Sequence, residues 1–215
     1  MNGIRNRLPL VFAISFVGVI ALLAWHKLAA WNGSMRAAGV AFLTTYVLWL
    51  FLESRVALTE NKKGETRADR GTCEAYAAGR ALVVVTALAF PTVWTSPGAW
   101  MVVGFAVFAF GVAFRLTAIR TLGKFYSHRV RVMGDHQVVS QGPYRVVRHP
   151  AYTGMLTAHL GVVIFFFNPY TLATLLLVLL PAMIIRIRVE ETALFELPGY
   201  PAYARDRSRL LPLLW

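Results

Sequence analysis

The stretch YTLATLLLVLLPAMII occupies residues 170–185, contains no charged residue, and is followed at once by the charged sequence RIRVEE at residues 186–191. A bilayer core about 30 Å thick is crossed by roughly 20 apolar helical residues. The stretch is slightly short for that distance, so we expect it to extend into the headgroup region or to tilt little. It therefore predicts a transmembrane helix that ends in a charged segment.

Apolar runs of similar length precede this stretch throughout the chain. Of the 215 residues, 57% are hydrophobic and 15% are charged, whereas a soluble domain carries about 25% charged residues. An ordinary soluble enzyme is therefore excluded, and the sequence predicts an all-α integral membrane protein with about six transmembrane helices. The five earlier runs lie at residues 8–25, 39–52, 81–94, 99–114 and 152–167.

Positive charge is distributed unequally between the loops that these six runs define. The net charge is +12, and the six-span division places 20 Lys and Arg residues on one side of the membrane and 2 on the other. The positive-inside rule then predicts cytoplasmic N- and C-termini. The run at residues 8–25 also resembles a signal peptide, but no clear A-x-A cleavage site follows it, so we expect it to be retained.

The cation-rich side contains two polar segments, and function is expected there. The first, residues 115–152, ends in GPYRVVRHPAY, and TG follows at 153–154. Pro150 suits the first turn of a helix, so Arg148 and His149 would lie just before a helix N-terminus, which attracts carboxylates and phosphates. Contact with lipid headgroups is an equal alternative for both. Gly154 would allow close approach of a helix or ligand, or serve packing alone.

The second polar segment, residues 186–212, begins with two possible charge pairs. On a continuing helix, Arg186 and Glu190 are four residues apart, and Arg188 and Glu191 are three apart. These pairs are either weak surface ion pairs or functional groups, because charges within a turn of the bilayer boundary are costly to desolvate.

Several other kinds of site are not expected. His128 and His136 have no third ligand at metal spacing, so no metal site is predicted. The single Cys73 excludes an intramolecular disulfide. The sequence also has no Gly-rich motif for a Rossmann or P-loop nucleotide site. The basic charge is expected to face anionic lipid and not nucleic acid.

The ordered set GPYRVVRHPAYTG, an apolar hairpin, RIRVEE, L-x-x-x-x-G-Y-x-x-Y and RLLP resembles the isoprenylcysteine carboxyl methyltransferase family between about residues 115 and 212. The resemblance implies an integral membrane enzyme that binds S-adenosylmethionine in a pocket at the cytoplasmic face. It also implies a division into N-terminal transmembrane helices 1–4 (residues 1–114) and a C-terminal methyltransferase-like region with helices 5–6 (residues 115–215).

The resemblance further implies roles for individual residues. Arg148 and His149 would receive the methionyl carboxylate, and Glu190 or Glu191 would bind the ammonium group or the ribose. The predicted catalytic residues are Arg186, which would orient an anionic methyl acceptor, and Glu190. The full predicted cofactor-binding set is His136, Val138, Val139, Gly142, Tyr144, Arg148, His149, Tyr152, Gly154, Glu190 and Glu191.

The methyl acceptor implied is lipophilic, resembles isoprenylcysteine, and enters from the bilayer to be methylated on its carboxylate. A phospholipid or phenolic-lipid methyltransferase is an alternative. A sterol-type membrane reductase that uses NADPH is another, but its RHP-N-Y-F-G pattern has Asn and Phe where this chain has Ala151 and Thr153. A transporter or scaffold is disfavoured because His159 is the polar exception within otherwise apolar spans.

Overall fold

The computed structural model describes residues 8–59, 65–66, 71–127, 131–132, 137–212 and 215, and most of these residues are helical. One antiparallel pair of two-residue strands, β1 (Glu65–Thr66) and β2 (Arg131–Val132), accompanies the helices. The helices are α1 (Leu8–Ala29), α2 (Gly33–Thr59), α3 (Thr72–Ala89), α4 (Ala99–Leu122), α5 (Pro150–Phe165), α6 (Pro169–Leu194, π-helical at Leu175–Leu179) and α7 (Tyr200–Arg205).

The predicted fold class, a helical membrane protein, is confirmed. Within the described ranges, four helices are long and apolar enough to cross a membrane: Gly33–Ser54, Thr72–Ala89, Ala99–Phe125 and Pro169–Leu194. Helix α5 and the segment Val17–Ala29 are apolar but shorter. The count of six spans and the cytoplasmic placement of both termini stay predictions.

The predicted bounds of the third apolar run were wrong. The run was expected at residues 81–94, but α3 begins at Thr72 and ends at Ala89. The residues after Phe90 include Pro91, Pro97 and Gly98, which do not favour continuation of a helix. At the other end, the helix includes Arg80, whose guanidinium donates to Glu53 Oε2 at 3.2 Å, so its charge is paired inside the bundle.

Helices α4 and α5 approach each other closely along a line of glycines. A Cβ added at Gly111 would lie 2.3 Å from the backbone nitrogen of Ala158, and one at Gly154 would lie 2.6 Å from that of Arg115. Only residues without a side chain permit this separation. The predicted domain boundary at residues 114/115 falls inside α4, and the division into two regions remains a prediction.

The interior of the bundle is aromatic. The ring of Phe42 on α2 lies 4.4 Å from that of Phe165 and 4.7 Å from that of Phe108, centroid to centroid. The backbone N–H of Val93 donates to the carbonyl of Phe167 at 2.8 Å, so the α3–α4 and α5–α6 connections meet at one end of the bundle. The charged segments predicted to be functional lie at the opposite end.

Candidate active site

The carboxylate of Glu191, near the end of α6, is the centre of a buried polar cluster. Its Oε1 lies 2.9 Å from Arg148 Nη1 and 3.1 Å from His149 Nε2. Its Oε2 accepts a hydrogen bond of 2.7 Å from Arg209 Nε. Two guanidinium groups and one imidazole therefore share one carboxylate, and the predicted residues Arg148, His149 and Glu191 are brought together.

The C-terminal segment holds the start of α5 in place. The backbone N–H groups of Arg148 and His149 donate to the carbonyls of Ser208 and Arg209 at 2.9 and 3.0 Å. One turn later, the Thr153 hydroxyl donates to the carbonyl of Leu210 at 2.8 Å. Pro150 occupies the first helical turn, as predicted, and His149 is the N-cap residue. The chain after α7 thus forms one wall of the cluster.

Glu190, the neighbour of Glu191, has a different environment. Its side chain is partly exposed, and its Oε2 accepts a hydrogen bond of 2.7 Å from the Tyr152 hydroxyl. The ring of Tyr152 packs edge-on against Tyr76 of α3, with centroids 5.5 Å apart. Arg186 is buried and donates from Nη1 to the Thr72 hydroxyl at 3.2 Å. Helix α3 therefore contributes to the site, although none of its residues was among the predicted site residues.

Tyrosines of the C-terminal region form the side of the site near residues 138–144. The Tyr203 hydroxyl donates to the carbonyl of Tyr144 at 2.9 Å. Burial raises the pKa of Tyr203 to about 12 and raises the pKa of Tyr144 and of Tyr200 well above the usual range. All three hydroxyls therefore stay protonated at neutral pH. Val138 packs against the cluster that contains Tyr200 and Tyr203.

The structure defines the surroundings of the two glycines that were predicted to bind the cofactor, Gly142 and Gly154. Gly142 adopts a φ of +54°, and a Cβ there would lie 3.2 Å from the Thr121 hydroxyl oxygen. Gly154 faces α4, which supports its packing alternative, and its cofactor contact stays a prediction. Val139 is partly buried. His136 lies outside the described residues.

Several buried polar atoms near this site make no hydrogen bond to another described residue. They include the Tyr200 hydroxyl and Arg148 Nε. The Tyr200 hydroxyl interacts electrostatically with Glu190, Glu191 and Arg148, so it lies beside the polar cluster. Buried polar groups are normally hydrogen-bonded, and these two atoms are suited to contact a polar ligand.

A second buried network joins α2, α3 and α4, and it was not among the sites predicted from the sequence. Arg115 of α4 contacts Glu53 of α2 through Nε, at 3.1 Å, and through Nη2. Arg115 Nη1 also donates to the carbonyl of Ala151 at 3.0 Å, and Arg80 of α3 reaches the same Glu53. These arginines were counted as loop charges. Glu53 and Arg80 each lie directly next to an apolar run, and this position is the sequence feature that could have indicated burial of their charges.

Comparisons with known proteins bear on the segment that builds this site. A sequence model described as the isoprenylcysteine carboxyl methyltransferase (ICMT) family matches residues 102–196. The predicted resemblance is confirmed. The matched segment contains Arg148, His149, Tyr152, Arg186 and both glutamates of the site.

Curated relatives carry related names. A probable protein-S-isoprenylcysteine O-methyltransferase of Oryza sativa subsp. indica is 31% identical over 121 residues, which cover 54% of this chain and 63% of that protein. The protein-S-isoprenylcysteine O-methyltransferase of Saccharomyces cerevisiae is 35% identical over 97 residues, which cover 44% of this chain and 41% of the yeast protein. The chain thus spans less than two thirds of the length of these relatives.

The fold is also similar to that of a solved structure, the eukaryotic intramembrane Ras methyltransferase ICMT without a monobody. The TM-score is 0.60 at 21% identity, and the match covers 93% of this chain and 74% of that one. The chain therefore has the fold of that methyltransferase. This fold and the apolar helices described above make it an integral membrane protein.

Proposed function

We propose that this chain is an S-adenosylmethionine-dependent membrane methyltransferase that methylates the carboxylate of a lipophilic, isoprenylcysteine-like acceptor. The observation that carries the proposal is that the ICMT family match at residues 102–196 covers most of the polar cluster at the ends of α5 and α6. The names of the curated relatives, which are protein-S-isoprenylcysteine O-methyltransferases, support the choice of acceptor.

The residues of the site fit the proposed cofactor. S-adenosylmethionine combines an ammonium group, a carboxylate and ribose hydroxyls, and when bound it supplies an electrophilic methyl group. Glu190 offers a second carboxylate oxygen for which no hydrogen bond to another described residue is found. Arg148 Nε and the Tyr200 hydroxyl offer buried donors that make no hydrogen bond to the part of the chain that the structure describes. The site thus offers a carboxylate for the ammonium group of the amino-acid moiety and hydrogen-bond donors for its carboxylate.

The two glutamates support different roles. Glu191 already binds Arg148, His149 and Arg209, so it is suited to hold these side chains in position. Glu190 has a single partner, Tyr152, and is partly exposed. We therefore assign the cofactor contact to Glu190 and a positioning role to Glu191.

Methyl transfer to a carboxylate requires alignment more than proton transfer. A carboxylate is ionised at neutral pH, so the acceptor needs no general base. The buried guanidinium of Arg186 interacts electrostatically with Tyr152, the hydrogen-bond partner of Glu190, and we assign it the orientation of the acceptor carboxylate. Apolar helices around the site exclude water, which leaves the acceptor poorly solvated and aligned for attack.

The proposal includes an orientation in the membrane. The 20 Lys and Arg residues on one side, against 2 on the other, support a cytoplasmic site and cytoplasmic termini. The acceptor would then approach sideways from the bilayer, between apolar helices, with its carboxylate at headgroup depth.

The experiment is a methyl-transfer assay with purified protein, tritiated S-adenosylmethionine and an N-acyl-S-prenylcysteine as acceptor. Wild-type protein is expected to form a base-labile methyl ester, because esters hydrolyse in alkali whereas N-methyl groups and aryl ethers do not. Replacement of the partly exposed carboxylate, Glu190→Gln, is expected to lower kcat/KM by about 100-fold or more.

The matched control is Glu196→Gln, which removes an exposed carboxylate beyond the end of α6 and should leave the rate unchanged. A base-stable product would contradict the carboxylate acceptor. Full activity of the Glu190→Gln protein would contradict the role of Glu190.

A further inference from the structure

A cavity lies at the end of the molecule opposite the candidate active site. It has a volume of about 510 Å³ and is formed between the α1–α2 turn and the α3–α4 connection. Its lining includes His26, Lys27, Trp31 and Trp94. Along α6, 22 residues separate Pro169 at this end from Glu191, which at 1.5 Å per residue is about 33 Å. The cavity is therefore distinct from the Glu191 cluster.

Lys27 is the main charged group of this cavity. Its side chain is only 6% exposed. The ammonium donates to the carbonyl of Phe90 and lies 5.9 Å from the ring centroid of Trp31. An ammonium group has three N–H donors, and one carbonyl occupies one of them. Lys27 can therefore still donate to a ligand in the cavity.

The segments that line the cavity contain no carboxylate that could pair with Lys27. The sequence contains no Asp or Glu between residues 1 and 52, or between residues 75 and 134. Every segment that lines the cavity falls within these two ranges. Because a buried charge is costly unless it is paired, an anion in the cavity would complete the site.

The surroundings indicate the kind of anion. The cavity lies at the ends of membrane-crossing helices, and Trp31 and Trp94 belong to its lining. Tryptophan is enriched at headgroup depth in membranes. Phe90 belongs to the lining, and the exposed side chains of Trp25 and Val93 are next to lining residues in the sequence, so apolar surface suited to acyl chains lies nearby.

We propose that this cavity binds the phosphate of an anionic phospholipid, with Lys27 as the main contact. The site is separate from the proposed catalytic centre, and its test does not depend on methyltransferase activity. Ligand binding here would hold the α1–α2 turn against the α3–α4 connection.

The test is native mass spectrometry of the delipidated full chain in neutral detergent. The protein is titrated with phosphatidylglycerol or with phosphatidylcholine of the same acyl chains. Wild-type protein should retain one phosphatidylglycerol in preference to phosphatidylcholine. Lys27→Met should weaken that binding by at least about tenfold, since a hydrogen bond to a charged group is lost.

The matched control is Lys124→Met, which removes an exposed lysine after α4 and should leave lipid binding unchanged. Lys27→Arg keeps the charge and should retain the preference, which separates loss of charge from a folding defect. Equal retention of both lipids, or equal weakening by both methionine variants, would overturn the proposal. Displacement of the lipid by millimolar inorganic phosphate would reassign the cavity to free phosphate.

Discussion

At the residue scale, two adjacent glutamates have opposite surroundings. Glu191 is 4% exposed and binds three basic side chains, whereas Glu190 is partly exposed and binds one tyrosine. Successive helical residues point about 100° apart, so neighbours in sequence face different surroundings. One glutamate is therefore suited to hold the site together, and the other to contact a ligand.

This difference predicts opposite effects of two matched substitutions. Glu191→Gln should lower the free energy of unfolding by about 2 kcal/mol or more, because it leaves buried basic groups without a full counter-charge. Glu190→Gln should change stability by less than about 0.5 kcal/mol, because an amide oxygen can still accept from Tyr152. Unfolding in detergent, followed by circular dichroism, measures both. Equal losses of stability would contradict the assignment of separate roles.

Sequence patterns identified most of the charged members of this cluster but not its connections. Arg148, His149 and Glu191 stand in recognisable motifs, and the structure joins them. Arg209 was not predicted as a site residue, although it binds the same carboxylate from 18 positions away. That contact depends on the return of the chain after α7, which no local spacing reveals.

At the element scale, the close packing of α4 on α5 positions the start of α5. Gly111 and Gly154 lie where any Cβ would meet the backbone of the opposite helix. The start of α5 carries His149 as its N-cap and Tyr152 in its first turn. A change in the separation of these helices would therefore move residues of the proposed cofactor site.

The packing predicts a specific cost for one methyl group. Gly154→Ala should destabilise the protein by about 1–3 kcal/mol, because the added Cβ forces the helices apart. The methyl-transfer activity of Gly154→Ala should also fall, because the separation of the helices would displace Tyr152. The matched control is Gly18→Ala in α1, where a Cβ would meet nothing within 4 Å, and where alanine should be neutral or slightly stabilising.

Thermal unfolding and the methyl-transfer assay on both glycine variants test this prediction. A Gly154→Ala protein as stable and as active as the Gly18→Ala protein would show that α5 can shift without consequence.

The helices themselves were largely predictable from apolar runs, but their ends were not. The apolar run at residues 81–94 misplaced α3 because it begins after Arg80, whose charge is paired with Glu53 inside the bundle. A charged residue such as Arg80 lowers the hydropathy of a predicted span. In the folded protein, pairing with Glu53 removes most of the free-energy cost of burying that charge. Helix bounds near buried ion pairs therefore need the tertiary structure.

At the scale of the whole molecule, both buried networks contact the start of α5. Glu53 joins α2 to Arg80 of α3 and Arg115 of α4, and Arg115 reaches the carbonyl of Ala151. The Glu191 cluster contacts the start of the same helix through His149, its N-cap residue. Four helices and the C-terminal segment thus fix one short stretch, where the cofactor is proposed to bind.

The central claim is that this stretch holds S-adenosylmethionine, and a binding titration of the detergent-purified chain tests it most directly. Isothermal titration would compare S-adenosylmethionine, S-adenosylhomocysteine and NADPH. We expect saturable binding of the first two at one site and no binding of NADPH, with the affinity for S-adenosylmethionine lost in Glu190→Gln. Binding of NADPH alone would contradict the account and identify a reductase, and binding of none of the three would leave the polar cluster without its proposed ligand.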